Sequence, residues 1–181
     1  MSHDVAASLE QLKERIERAC LRASRDPSTV KLLSVSKGHG EEAIRAAYAA
    51  GIRVFGENYA QELAAKAASL GDLPDLRWRF IGHLQRNKIK LIEKARATVD
   101  TVDSVRLAEG LSGRATAKGI DFEVLLQVNV GAEAQKSGCA PEEVSSLVDA
   151  VQALPGLNLR GLMTVAPHLS LIHISEPTRL Q

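Results

Sequence analysis

The amino-acid sequence predicts an α/β fold built on parallel strands, with a (β/α)8 TIM barrel as its architecture. Three observations carry this expectation. Short apolar runs alternate with amphipathic segments six times along the 181 residues. The connections between them are short, and strands recur about every 20–35 residues, the spacing of βα units. Neither a Gly-x-Gly-x-x-Gly motif after the first strand nor a Walker-type loop is present, which argues against a dinucleotide-binding or P-loop sheet. Six strands can be counted, where a closed barrel of this type has eight.

The first helix is expected over residues 4–24, where Val5, Leu9, Leu12, Ile16 and Cys20 recur at helical spacing and charged residues fill the other face. Pro27 ends it. Residues 30–35 form the first strand, an apolar run without alternation that suits a parallel strand covered on both faces. Residues 40–50 are helical and close at Gly51; residues 52–55 are the second strand. A helix over 58–70 and a turn at Gly71-Asp72-Leu73-Pro74 lead to a third strand over 78–81, ending at Gly82-His83. A helix over 85–95 precedes the fourth strand, 97–102. The helix over 105–118 stops at Gly119 before the fifth strand, 122–130. Pro141 suits the first position of a helix running to residue 153, and Pro155-Gly156 turns the chain into the sixth strand, 159–163.

After His168 the rhythm stops. Residues 169–181 offer neither a capped helix nor another strand–helix unit, and they read like translated sequencing-adaptor DNA. The expected division is therefore an incomplete barrel domain over 1–168 and a foreign tail over 169–181, left out of fold reasoning.

Composition excludes several classes of function. Hydrophobic residues are 45% and charged residues 25%, as in soluble globular proteins. A net charge of +1 and only one Trp, two Tyr and three Phe give no basic footprint or stacking platform, so no nucleic acid partner is expected. No apolar run approaches the ~20 residues that span a bilayer, so no membrane partner is expected either. Cys20 and Cys139 are too few for a disulfide framework or a zinc site. With no signal-peptide pattern at the N-terminus, the expected location is cytoplasmic.

Lys37 ends the first strand, at the edge where α/β folds place ligands. Partial burial there would lower its pKa and free the amine for Schiff-base chemistry with an aldehyde; the alternative is a solvated lysine capping a strand. The residues just past the other strands are Glu57-Asn58-Tyr59, His83, Asp103-Ser104, Asn129 and Met163-Thr164. One amine, several hydrogen-bonding groups and a thioether suit a flat, polar, aldehyde-bearing ring better than a metal.

The order of motifs is then distinctive: Val35-Ser36-Lys37, Phe55-Gly56-Glu57-Asn58-Tyr59-x-Gln61-Glu62, Phe80-Ile81-Gly82-His83-Leu84-Gln85-x-Asn87-Lys88, Gln127-Val128-Asn129, Lys136-Ser137-Gly138 and Arg160-Gly161-Leu162-Met163-Thr164. From about residue 5 to residue 168 this resembles the pyridoxal phosphate homeostasis proteins, single-domain relatives of the alanine racemase N-terminal barrel. The resemblance implies a barrel preceded by an extra N-terminal helix. It implies Lys37 as the lysine that forms a Schiff base with pyridoxal 5′-phosphate, with Asn58 and Met163 near the cofactor ring and His83 on the same rim. It further implies a monomer that carries and buffers the cofactor without robust catalysis of its own. Two other readings stand beside it: an amino-acid racemase or lyase using the same lysine, and an interaction module that delivers the cofactor to apo-enzymes.

Several residues also have a purely structural reading. Glu57 and Glu62 suit a helix start, Lys136-Ser137-Gly138 a basic loop tip, Cys139 an incidental thiol and Met163 simple core packing. Members of the resembled family continue with two further βα units that hold the cofactor phosphate. The sequence therefore leads to the expectation of open edges at the first and sixth strands and of weakened phosphate anchoring.

Overall fold

The computed structural model describes residues 5–131 and 137–165. Along the chain lie α1 (Val5–Arg22), β1 (Ser34–Val35), α2 (Glu41–Ala49), β2 (Val54–Glu57), α3 (Ala60–Ser69) and β3 (Arg77–Phe80). They are followed by α4 (Ile89–Ala95), β4 (Thr98–Val102), α5 (Val105–Lys118), β5 (Phe122–Val128), α6 (Val144–Gln152) and β6 (Leu157–Thr164). The strands form one six-stranded sheet whose order follows the chain from β1 to β6. The ladders β1–β2, β2–β3, β3–β4 and β5–β6 are parallel, as strand–helix alternation requires. The chain divides into two compact units, with the boundary inside β4 between Val99 and Asp100. The 169–181 segment, Lys136 and His168 lie outside the described residues.

In the first unit, Ile44 of α2, Leu63 of α3 and Ile92 of α4 are buried with Phe55, Phe80 and Val99 of the strands. Phe55 and Trp78 meet with ring centroids 6.1 Å apart in a tilted arrangement. The chain enters β1 through a 3-10 turn, Pro27–Thr29, capped by the Asp26 carboxylate, which accepts the Ser28 N–H at 2.9 Å. The turn between α3 and β3 is tied to α2: Arg45 grips Asp72 with two hydrogen bonds, 2.6 and 2.9 Å, while Tyr48 and Arg53 both reach Asp75. The predicted first strand is corrected here. Only Ser34 and Val35 join the ladder, and Val35 is 45% exposed instead of covered on both faces. Among the described residues β1 is an end strand, with β2 as its sole neighbour, so nothing on its other side holds residues 30–33 extended.

In the second unit, Phe122, Val124, Leu126 and Val128 project from one face of β5, and Leu111, Ala115, Leu147 and Val151 of α5 and α6 are buried with them. β6 carries a bulge. Val124 pairs with Leu159 but Leu125 pairs with Gly161, so Arg160 is the extra residue and Gly161 takes φ +146°, which a side chain would resist. The shift exchanges the faces of everything after it. Met163 now lies beside Gln127 and Leu162 beside Leu126. Pro141 opens a 3-10 turn, Pro141–Glu143, rather than the α-helix itself, with the Glu143 side chain accepting the Ala140 N–H at 2.9 Å.

No helix of the described residues is long and apolar enough to cross a membrane. Among the same residues no group of His, Cys, Asp and Glu is placed to hold a metal ion.

The two leucines paired across β5 and β6 give a direct test of this packing. Leu126 is fully buried whereas Leu162 is 57% exposed. Leu126→Ala is expected to cost about 2–5 kcal/mol by urea unfolding, and Leu162→Ala to stay within about 0.5 kcal/mol.

Candidate functional site

The site is built outward from the end of β1. Ser36, Lys37, Gly38 and His39 make a turn closed by the His39 N–H on the Ser36 carbonyl at 3.0 Å. Gly38 occupies the third position with φ +74°, where a type II turn takes glycine. Lys37 is therefore carried at the tip of a turn at the C-terminal end of β1. It is exposed, and its amine makes no ion pair among the described residues. Among the described residues the partial burial expected from the sequence is not found, because β1 there has one neighbouring strand and the turn projects beyond the ladder.

The backbone on each side of Lys37 is held from the helix layer. Glu57, at the end of β2, is completely buried. Its Oε1 accepts the Ser36 hydroxyl at 2.7 Å and the Lys66 ammonium of α3 at 2.7 Å. Lys66 also donates to the Ser36 carbonyl at 2.7 Å and to Glu62 Oε1 at 2.7 Å. Glu62 Oε1 in turn accepts the Gly38 N–H at 2.9 Å. The three ammonium hydrogens of Lys66 are thus matched by three oxygens. Burial alone would push the Lys66 pKa down, but the hydrogen-bonded carboxylates of Glu57 and Glu62 outweigh it and the net shift is upward. Glu62 is held below the usual carboxylate range, first by Lys66 and then by the Gly38 N–H. Oε2 of Glu57 has no hydrogen-bond partner among the described residues.

The helix-start reading fits Glu62, which stands in the first turn of α3, but not Glu57, which is a strand residue in a buried ion pair. Lys66 was missed altogether. Its one sequence signal is the spacing of four from Glu62, which places the two on one helix face.

Register sets the faces of the sheet. Val35 pairs with Gly56, and Ser36 and Glu57, one residue on, meet on the opposite face, where Glu57 also holds Lys66; Lys37 and Asn58 lie beyond the ends of the two strands. Asn58 follows β2 and is half-buried. Its backbone is pressed by Gly82, where an added Cβ would lie 2.0 Å from the Asn58 carbonyl oxygen. His83 is exposed just beyond β3, and Asn58 and His83 line one open pocket of about 340 Å3 together with Tyr59, Gln61, Gln85 and Lys88. Lys37 is not among the lining residues. Met163 belongs to the second unit, half-buried beside Gln127, whose side-chain amide donates to the Ser137 carbonyl at 2.9 Å. Asp103-Ser104 and Asn129 follow β4 and β5 in that unit. Cys139 is buried, and that burial, followed by Glu143, pushes its thiol pKa up, in keeping with the reading of an incidental packed thiol.

Two outcomes follow from the network. Lys66→Met leaves Glu57 as an unpaired buried charge and is expected to cost about 3–5 kcal/mol in denaturant unfolding; adding Glu57→Gln is expected to recover most of the loss. The second outcome concerns pH. Because its folded pKa is lowered from 4.5, Glu62 contributes stability that is present above that value and lost as pH falls through the lower folded value. Glu62→Gln should therefore lower the unfolding midpoint at neutral pH and leave it unchanged in acid below both values.

Comparison with known proteins places this geometry. A family profile described as the alanine racemase N-terminal domain matches residues 7–181. A pyridoxal phosphate homeostasis protein of Pseudomonas aeruginosa is 48% identical over 161 residues, covering 89% of this chain and 70% of that relative. One from Aquifex aeolicus is 41% identical, with the same shares covered. Among solved structures, an unknown protein of Bifidobacterium adolescentis superposes with a TM-score of 0.87 at 35% identity, over 92% of this chain and 71% of its own. PipY of Synechococcus elongatus, solved with pyridoxal phosphate bound, gives a TM-score of 0.69 at 39% identity over 86% and 72% of the two chains. The alanine racemase of Clostridium difficile, at 20% identity and a TM-score of 0.61, shares the fold. A profile spanning nearly the whole chain and relatives alike along most of their own length lead to one assignment: the chain belongs to the alanine racemase N-terminal domain family and, within it, to the pyridoxal phosphate homeostasis proteins.

Proposed function

We propose that this chain holds pyridoxal 5′-phosphate through Lys37 and acts as a cytoplasmic carrier and buffer of the cofactor, without robust catalysis of its own. The observation that carries the reading is the placement of Lys37. It is an exposed amine without an ion pair among the described residues, presented on a turn at the C-terminal end of β1. The donor set fits the group: an unengaged primary amine for an aldehyde, with Asn58 and His83, which follow the next two strands and line one pocket, as hydrogen-bonding side chains for a polar ring. The relatives named for pyridoxal phosphate homeostasis, and the Synechococcus structure with pyridoxal phosphate bound, support it. Met163, in the second unit, is assigned to the cofactor ring by the family resemblance alone.

Bound pyridoxal phosphate supplies an aldehyde that condenses with a primary amine. On the protein side, the Lys37 ammonium would first give up one proton, and the two hydrogens left on the amine would then depart with the aldehyde oxygen as water as the carbon–nitrogen double bond forms; no oxidant or reductant enters. Asn58 and His83 orient the ring by hydrogen bonding. Release to an apo-enzyme would reverse the linkage, with water or a competing lysine amine taking the place of Lys37, and the proposed carrier is a monomer. The name of the relatives favours this role over a racemase or lyase, whose chemistry needs further acids and bases positioned about the α-carbon.

The test is a visible absorption titration with pyridoxal phosphate. The saturable band of lysine-bound cofactor should appear in the wild type. It should be absent in both Lys37→Ala and Lys37→Arg, the second of which keeps the charge but cannot condense. A band that survives in Lys37→Arg would assign the linkage to another lysine.

A further inference from the structure

We propose that the buried Glu57–Lys66–Glu62 network is the device that positions Lys37, with Lys66 as the positioning residue; this rests on the reading of Lys37 as the cofactor lysine. The network touches the residues on either side of Lys37 and leaves Lys37 itself alone. Lys66 holds the Ser36 carbonyl, Glu57 holds the Ser36 hydroxyl and Glu62 holds the Gly38 N–H, at 2.7, 2.7 and 2.9 Å. The turn is fixed at both feet while its tip stays open to solvent.

The backbone alone would hold the turn weakly. The β1–β2 ladder has two register pairs, extended by one bond from the Ser36 N–H to the Gly56 carbonyl at 3.0 Å. Side-chain bonds anchored in β2 and α3 replace the ladder that ends there, and rigid elements set a reactive group more accurately than a free loop does.

The chemistry of the cage points the same way. A pair kept only for stability could be exchanged for apolar residues of similar volume at little or no loss. A buried carboxylate oxygen without a partner, as at Glu57 Oε2, is a cost that such a pair has no reason to retain. The cage also decides which lysine reacts. Lys66 is buried with every ammonium hydrogen engaged, so it has no lone pair to offer an aldehyde. Lys37, tied only through its neighbours' backbone and the Ser36 hydroxyl, keeps its amine available.

The experiment uses Glu62→Ala and Glu62→Gln in the full chain, with two measurements on each: amide hydrogen exchange at Gly38 without cofactor, and titration with pyridoxal phosphate. Glu62→Ala removes the acceptor of the Gly38 N–H and leaves Lys66 paired with Glu57. It is expected to speed exchange at Gly38 and to weaken pyridoxal phosphate binding, each about tenfold. Glu62→Gln keeps an acceptor oxygen and should restore both, a rescue that a general loss of stability would not give. Should Glu62→Ala fail to fold, the neutral pair Glu57→Gln/Lys66→Met carries the test, because Glu62 then loses its anchor and Gly38 exchange should rise in the same way. Unchanged Gly38 exchange, or faster exchange with unchanged cofactor binding, overturns the proposal. If wild type gives no lysine-bound band yet Gly38 responds as stated, the cofactor reading falls and the fixing of the Lys37 turn stands.

Discussion

One buried ammonium organises the first unit of this protein. Taking Lys66 out of water costs several kcal/mol unless its hydrogens find acceptors and its charge finds partners. Here the three acceptors come from three separate elements: the Ser36 carbonyl after β1, Glu57 at the end of β2 and Glu62 in the first turn of α3. Each of those elements is brought to its place by apolar burial, with Phe55, Leu63 and Phe80 almost fully enclosed. The charge then fixes what hydrophobic packing leaves loose, namely the angle at which the chain leaves β1. Packing is non-directional, whereas three hydrogen bonds at 2.7 Å define one arrangement.

The sheet separates this structural role from the chemical one. Alternate residues of a strand point to opposite faces, so Glu57 turns toward α3 while Gly56 and Val35, its register partner, face the other way. The same pattern recurs at the next strand end, where Gly82 lets β3 approach so closely that no side chain would fit against the Asn58 carbonyl. Asn58 and the Lys37 turn are therefore fixed by different means, steric closeness for one and a buried charge for the other. Neither constraint occupies the open face.

The helices were legible because their signals are local. Periodic apolar positions, Gly51 and Gly119 as stops and Pro141 as a start place α2, α5 and α6 within a few residues of where they lie. Five of the six strands were legible for the same reason. The first was read too long, because an apolar run looks the same whether it has one neighbouring strand or two. The β6 bulge escaped notice too: Gly161 stands in an otherwise extended run, and only pairing with β5 reveals that Arg160 has no partner of its own. Within the site, Lys37, Asn58 and His83 could be gathered from their positions at strand ends. Lys66 could not, because a lysine in an Ala-rich amphipathic helix reads as solvated until the strand behind it is known to end in a glutamate.

The contrast between the two lysines bears on the kind of chemistry such a fold supports. Enzymes that use a carbonyl cofactor gain by excluding water, which strengthens the electrostatics around the reacting carbon and protects what is bound. A carrier has the opposite need, since its linkage must be reversed by water or by another amine within a useful time. Lys37 sits on a turn held through its neighbours, so the amine is positioned without being engaged among the described residues. Burying Lys37 as Lys66 is buried would slow release and leave its amine fully engaged, losing exchange and reactivity together. The cage around Lys66 supplies order to the Lys37 turn without engaging its amine, and under the proposed carrier role those two properties have to come from different residues.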